Sequence, residues 1–172
     1  ARSLQSTYDE LRSGSGTSEA AEEAARERLE VLGILTGTEP AVGPGIVLEI
    51  SDPEEAVGAA ELLDTLQELR DAGAEAIQIG GTRIVASTSF VRNMDEPGIR
   101  VDGKLLRQPY VFKVIGDPQT LATALDIPGG ALEVLRQQGG EGRVSQSQTV
   151  EVSAVRDVPA ARYAQPAPAA TP

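Results

Sequence analysis

Apolar positions along this chain follow two rhythms, one with the repeat of helices and one with the repeat of strands. From Thr17 or Ser18 to Leu35 the pattern is helical and rich in Ala, Glu and Arg, with Glu22 and Glu23 near the favourable end of the helix dipole. Gly14 and Gly16 are expected to interrupt any helix in the polar stretch before it. Ile46–Ile50 reads as a strand, entered through the boundary Val42-Gly43-Pro44-Gly45. A helix over Pro53–Ala72 would place Leu62, Leu66 and Leu69 on one face, ending at Gly73 in the left-handed region.

Ala76–Ile79, Gly80-Gly81 and Thr82–Ala86 spell a tight hairpin, both glycines supplying positive φ. Asn93–Gly98 reads as a loop. Ile99–Val101 should pair with Leu105-Leu106 around Asp102-Gly103. Tyr110–Ile115 is a central strand. It is followed by a helix through Leu125, a Pro128-Gly129-Gly130 break, a helix over Ala131–Gln138 and a last strand over about Val144–Val155. Glu49–Glu55 and Val114–Thr120 share one arrangement, an apolar run, then Asp-Pro, then a helical run. Asp52 and Asp117 are expected to act as N-caps with proline in the first helical position.

The order β-α-β-β, short arm, β-α-β gives an α+β fold: a split β-α-β (ferredoxin-like), mostly antiparallel sheet with helices on one face, preceded by an N-terminal helix. Its first and third main strands are expected to lie parallel at the centre. The domain plan is a linker and coiled-coil-like helix over 1–40, a core over 41–157 and an Ala/Pro-rich disordered tail over 158–172. Leu4, Leu11, Ala25 and Leu32 share one seven-residue register and Tyr8 and Leu29 the complementary one, which suits the weak end of a coiled coil. A linker helix with one modest apolar stripe fits as well.

Composition narrows the chemistry. The 172 residues carry a formal charge of −11, which disfavours nucleic-acid binding. Aromatic residues make up 3 %, so the core should be aliphatic. With no Cys and no His, thiolate nucleophiles, disulfides and thiolate or imidazole metal ligation are excluded. The cluster Ser87-Thr88-Ser89 has no evident base to activate a serine, and Gly80-Gly81-Thr82 lacks the spacing of a phosphate loop. No enzymatic activity, metal or cofactor is therefore expected.

Between Arg83 and Lys113 six basic residues face three acidic ones, leaving nine basic and twenty-three acidic residues elsewhere. Arg83, Ser87, Ser89, Arg92, Arg100, Lys104 and Arg107 are the candidate site, a basic, hydroxyl-bearing arm suited to an anion or a protein partner. A solvated strand face with ordinary surface charges is the plainer alternative.

Three segments recur together in one order: Val42-Gly43-Pro44-Gly45-Ile46-Val47; Ala72-Gly73-Ala74-Glu75-Ala76-Ile77 with Arg83-Ile84-Val85-Ala86; and Pro109-Tyr110-Val111-Phe112-Lys113-Val114-Ile115-Gly116-Asp117. Over about residues 17–155 the chain resembles the bacterial family called domain of unknown function 881, in an actinobacterial form. The resemblance implies an N-terminal transmembrane helix upstream of Ala1, then a coiled-coil stretch, then this domain on the extracytoplasmic side of the cell membrane. It implies gene neighbours in cell division, membrane or division-associated protein partners, self-association through the N-terminal helix, and no catalytic residues. One departure stands out: the family pattern usually has Asn after the second strand's apolar residue, where this chain has Gln78-Ile79-Gly80. The expected function is a non-enzymatic scaffold or interaction domain, with a small-molecule (anion) sensing module as the alternative.

Overall fold

The computed structural model describes residues 2–158, 162–165 and 167, with side chains from Ser18 onward. The tail expected over 158–172 lies largely outside the described residues. So do the side chains of Leu4, Tyr8 and Leu11 on which half of the heptad register depends.

A five-stranded sheet carries the domain. β1 (Ala41–Ser51) is flanked by β7 (Tyr110–Ile115) and β8 (Glu141–Val152), and β2 (Ala76–Ile79) follows β7 with β3 (Thr82–Ile84) at the edge. Every neighbouring pair is antiparallel. The split β-α-β plan is present, with one correction. β7 is inserted between β1 and β2 and runs against both, so the parallel pair is β1 and β2, and the first and third main strands are antiparallel neighbours. A second sheet of β4 (Phe90–Arg92), β5 (Ile99–Val101) and β6 (Lys104–Leu106) forms the arm. Asp102 and Gly103 both take positive φ in its expected turn.

One face of the main sheet is covered by α2 (Ala59–Asp71), α3 (Pro118–Leu125) and α4 (Ala131–Gln137). Leu62, Leu66, Leu69, Leu121, Leu125 and Leu135 pack there on Ile46, Leu48, Ile50, Phe112 and Val114. The core is aliphatic, as the composition requires, with Phe112 its largest fully buried side chain. On the opposite face Ala76, Ile115, Val150 and Val152 form a smaller cluster, met by Ile34 from the end of α1 (Arg2–Thr36).

Four local expectations change. α1 runs unbroken through Gly14 and Gly16. Gly43-Pro44-Gly45 lies inside β1 rather than before it. A bulge between Ser147 and Val150 of β8 faces this kink, and the Pro44 carbonyl still accepts from the Gly116 N–H at 3.0 Å. In the β2–β3 turn only Gly80 takes positive φ, at +53°.

The doubled Asp-Pro arrangement caps a helix once. Asp117 accepts from the Thr120 N–H at 2.8 Å and its hydroxyl at 2.6 Å, with Pro118 at the helix start. Asp52 instead accepts from the Val57 N–H at 2.7 Å, closing a loop in which Glu55 has φ +56°. That conformation cannot continue a helix, so α2 begins only at Ala59, where the Glu61 carboxylate accepts from the Gly58 N–H at 2.8 Å.

Candidate functional site

The candidate residues of the arm do not converge. Arg83 is 3 % exposed and holds its guanidinium among three backbone carbonyls: Ile34 at 2.8 Å, Glu39 at 2.9 Å and Ala154 at 3.2 Å. Burial pushes its pKa down from the usual guanidinium value. No carboxylate bonds it among the described residues, and the Ile34 carbonyl belongs to the last turn of α1, where a cation meets the negative end of the helix dipole. Beside it, Gln78 accepts from the Ala154 N–H at 2.8 Å and donates to the Gly80 carbonyl at 2.6 Å. The Arg156 N–H reaches the Gly37 carbonyl at 2.8 Å, and its side chain donates to the Ser87 hydroxyl at 3.0 Å. Arg83 and Gln78 are thus a clamp joining α1, the edge hairpin and the segment after β8. This is a correction for Arg83, whose donors face protein carbonyls rather than a partner surface.

The remaining arm residues are mostly engaged within the arm itself. Ser89 contacts Asp102 through its N–H at 2.8 Å and its hydroxyl at 3.4 Å. Arg100 donates to the Asn93 side chain at 3.1 Å and to the Gly103 carbonyl at 3.1 Å. Arg107 forms an ion pair with Glu96. Arg92 and Lys104 have no hydrogen-bond or ion-pair partner among the described residues, and both are exposed.

Below the arm lies a cleft of about 460 Å³, between the loop 53–58 and the loop 93–98. Its lining includes Glu55, Arg92, Asp95, Glu96, Arg107 and Tyr110. Two of the proposed arm residues, Arg92 and Arg107, reach it; Arg83, Ser87, Ser89, Arg100 and Lys104 do not line it. Tyr110 is 6 % exposed, and its hydroxyl has no hydrogen-bond partner among the described residues. Burial, then the charges of Asp52 and Glu55, hold its pKa above the ordinary phenol value. Asp52 is buried behind this wall; its backbone N–H donates to the Gln108 side chain at 2.7 Å, and its Oδ1 has no partner. The sequence marks Asp52 as a helix cap and Tyr110 only as the start of a central strand. Only the long-range approach of residues 52–58 to 107–110 puts them beside a cleft.

Among the described residues no group of three or more His, Cys, Asp or Glu side chains is placed to hold a metal ion. No helix among them is long and apolar enough to cross a membrane.

A split β-α-β domain with a clamped N-terminal helix and a side cleft is the class of protein defined by this geometry. The chain belongs to the family described as "Bacterial protein of unknown function (DUF881)", whose profile matches residues 28–165. It is 42 % identical over 168 residues to the UPF0749 protein Rv1825 of Mycobacterium tuberculosis and to the UPF0749 protein Mb1856 of Mycobacterium bovis, covering 95 % of this chain and 56 % of either relative. The chain thus spans little more than half the length of these relatives. The UPF0749 protein YlxW of Bacillus subtilis is 30 % identical over 79 residues, 46 % of this chain and 33 % of that protein. A crystal structure of an uncharacterized conserved protein from Mycobacterium tuberculosis superposes with a TM-score of 0.73 at 43 % identity, covering 81 % of this chain and 99 % of that one.

Proposed function

We propose that the chain is the extracytoplasmic, non-enzymatic interaction domain of a membrane-anchored protein that works in cell division or envelope assembly. The observation that carries the reading is the clamp at the base of α1. Leu29, Leu32 and Leu35 stay more than half exposed on a helix whose last turn is bonded to a buried arginine of the sheet. A helix that buries so little of its own surface gains most by pairing, and a clamped one sets the direction in which the domain is displayed. Its partners are membrane or division-associated proteins, and a second copy through the apolar stripe of α1.

Fractionation and protease access test this reading in the host cell. The full-length protein should sediment with membranes, and protease added to intact protoplasts should cleave the domain. A full-length protein that stays in the soluble fraction, or a domain protected until lysis, contradicts the placement. Photo-crosslinkers at Leu29 and Met94 should then give discrete adducts with membrane proteins or with a second copy.

Small-molecule sensing is the second reading, favoured by the cleft beneath the arm. A saturable thermal shift with a ligand that fits the cleft supports it.

A further inference from the structure

The main sheet ends differently on its two sides. β3, at one edge, is three residues long and carries Arg83 in the clamp. β8, at the other, runs for 12 residues, and no strand lies beyond it among the described residues. Sheets ordinarily keep such edges short or guard them with Pro, Lys or a bulge, because unpaired N–H and C=O groups invite a further strand. β8 contains neither Pro nor Lys, and its bulge comes only after Ser147, so Glu141–Ser147 is a straight, open edge.

The ladders fix which backbone groups this edge presents. The carbonyls of Val111 and Ile115 accept from the Gly80 and Glu75 N–H groups on the β2 side, both at 2.9 Å, so Tyr110, Phe112 and Val114 turn their backbone groups to β1. Their partners Ile50, Leu48 and Ile46 face back toward β7, which leaves Ser51, Glu49 and Val47 to bond Glu141, Arg143 and Ser145 of β8. The backbone groups of Gly142, Val144 and Gln146 therefore point outward, and they meet no other backbone among the described residues.

We propose that β8 pairs with β8 of a second copy, antiparallel about a two-fold axis at Val144, joining two five-stranded sheets into one continuous sheet. The outward residues select this register. Gly142, Val144 and Gln146 meet Gln146, Val144 and Gly142 of the second copy and exchange about six hydrogen bonds. The whole of Glu141–Ser147 is used, and the pairing stops at either end where a bulge begins. An axis moved to Arg143 would set two arginines directly opposite each other, and one moved to Ser145 would run the pairing into the bulge. With the axis at Val144, Arg143 stands opposite Ser145 and Glu141 opposite Ser147, while Arg143 has Glu49 across from it in its own chain. Val144, partly buried against the core, gains apolar contact with its own copy. The surface is separate from the apolar stripe of α1 and owes nothing to where the protein resides.

Sedimentation and amide exchange followed by NMR test the proposal on the full chain carrying Leu29→Glu/Leu32→Glu, which takes the exposed stripe of α1 out of the comparison. This chain should be dimeric at about 1 mM and dissociate on dilution. The Val144 and Gln146 amides should exchange about tenfold or more slowly in the dimer than in the diluted monomer, while Arg143 and Ser145, bonded to β1, should be slow in both. Gln146→Pro removes an outward donor and no bond of the ladder to β1, so it should keep the circular dichroism of the parent and stay monomeric. The dilution series needs no proline and decides the matter if that variant does not fold. A chain still monomeric at about 1 mM, a folded Gln146→Pro chain that dimerises as before, or a dimer whose Val144 and Gln146 amides exchange as in the monomer overturns the proposal. None of these outcomes touches the membrane placement, which fractionation tests.

Discussion

The guanidinium of Arg83 donates to the main-chain carbonyl of Ile34 at 2.8 Å, across 49 positions of sequence, and so fixes the last turn of a 35-residue helix to an edge strand of the sheet. The same side chain holds Glu39 and Ala154, so one buried cation organises three separate stretches of backbone. Its placement suits arginine in particular, because two separate nitrogens share the task, Nη1 meeting Glu39 and Ala154 and Nη2 meeting Ile34, whereas the three donors of an ammonium all radiate from one nitrogen.

Arg83→Met should therefore cost about 2–4 kcal/mol, since it leaves buried carbonyls without donors. Arg83→Lys should recover only part of that loss. Thermal unfolding by circular dichroism checks both, and a lysine variant as stable as the parent would contradict the fork argument. As a contrast, Glu96→Gln breaks an exposed ion pair and should change stability by no more than about 1 kcal/mol.

Gly45 of β1 lies opposite Ile115 of β7. A Cβ built there would lie 1.9 Å from the Val114 carbonyl oxygen, which backbone cannot yield without breaking the ladder. Gly45→Ala should cost about 3 kcal/mol or more and reduce soluble yield. At Gly81 no atom lies within 4 Å of such a Cβ, and Gly81→Ala should leave the melting temperature nearly unchanged.

Asp117 owes its lowered pKa first to the Thr120 hydroxyl and then to the Thr120 N–H. A carboxylate more acidic in the folded state stabilises it above its ordinary value of 3.8, and the gain is lost as pH falls through the lower folded value. Asp117→Ala should thus lower the melting temperature at pH 7, with the gap to the parent closing in strong acid. Asp117→Asn should retain most of the parent's stability at neutral pH, because asparagine also caps helices.

Asp52→Ala should cost about 1–3 kcal/mol, since the buried Val57 N–H loses its acceptor. Hydrogen exchange should report the loss first in residues 54–58, of which 55–58 line the cleft.

Much of the scaffold was legible because it depends on short-range chemistry. Gly80-Gly81 and Asp102-Gly103 mark tight turns, Gly73 ends α2, and Asp117-Pro118 starts α3. The Asp52-Pro53 pair misled for a physical reason. Asp52 found its N–H five residues ahead rather than in a helix turn, and Gly58 with Glu61 began the helix instead. Pro44 likewise reads as a strand breaker, and it is tolerated in β1 only because β8 bulges opposite it. The site was harder to see. The role of Arg83 depends on Ile34, Glu39 and Ala154, which lie far away in sequence, and local charge counting cannot distinguish a buried clamp from a surface cation.

Through the Arg83 clamp, α1 and the sheet should move as one unit. The chain contains no cysteine, so spin labels can be placed at Glu27→Cys on α1 and Asp64→Cys on α2 without interference. Pulsed dipolar spectroscopy should give a single narrow distance distribution in the otherwise native protein and a broad one once Arg83→Met is added. A broad distribution with Arg83 present, or an equally narrow one without it, would contradict a clamp that orients α1.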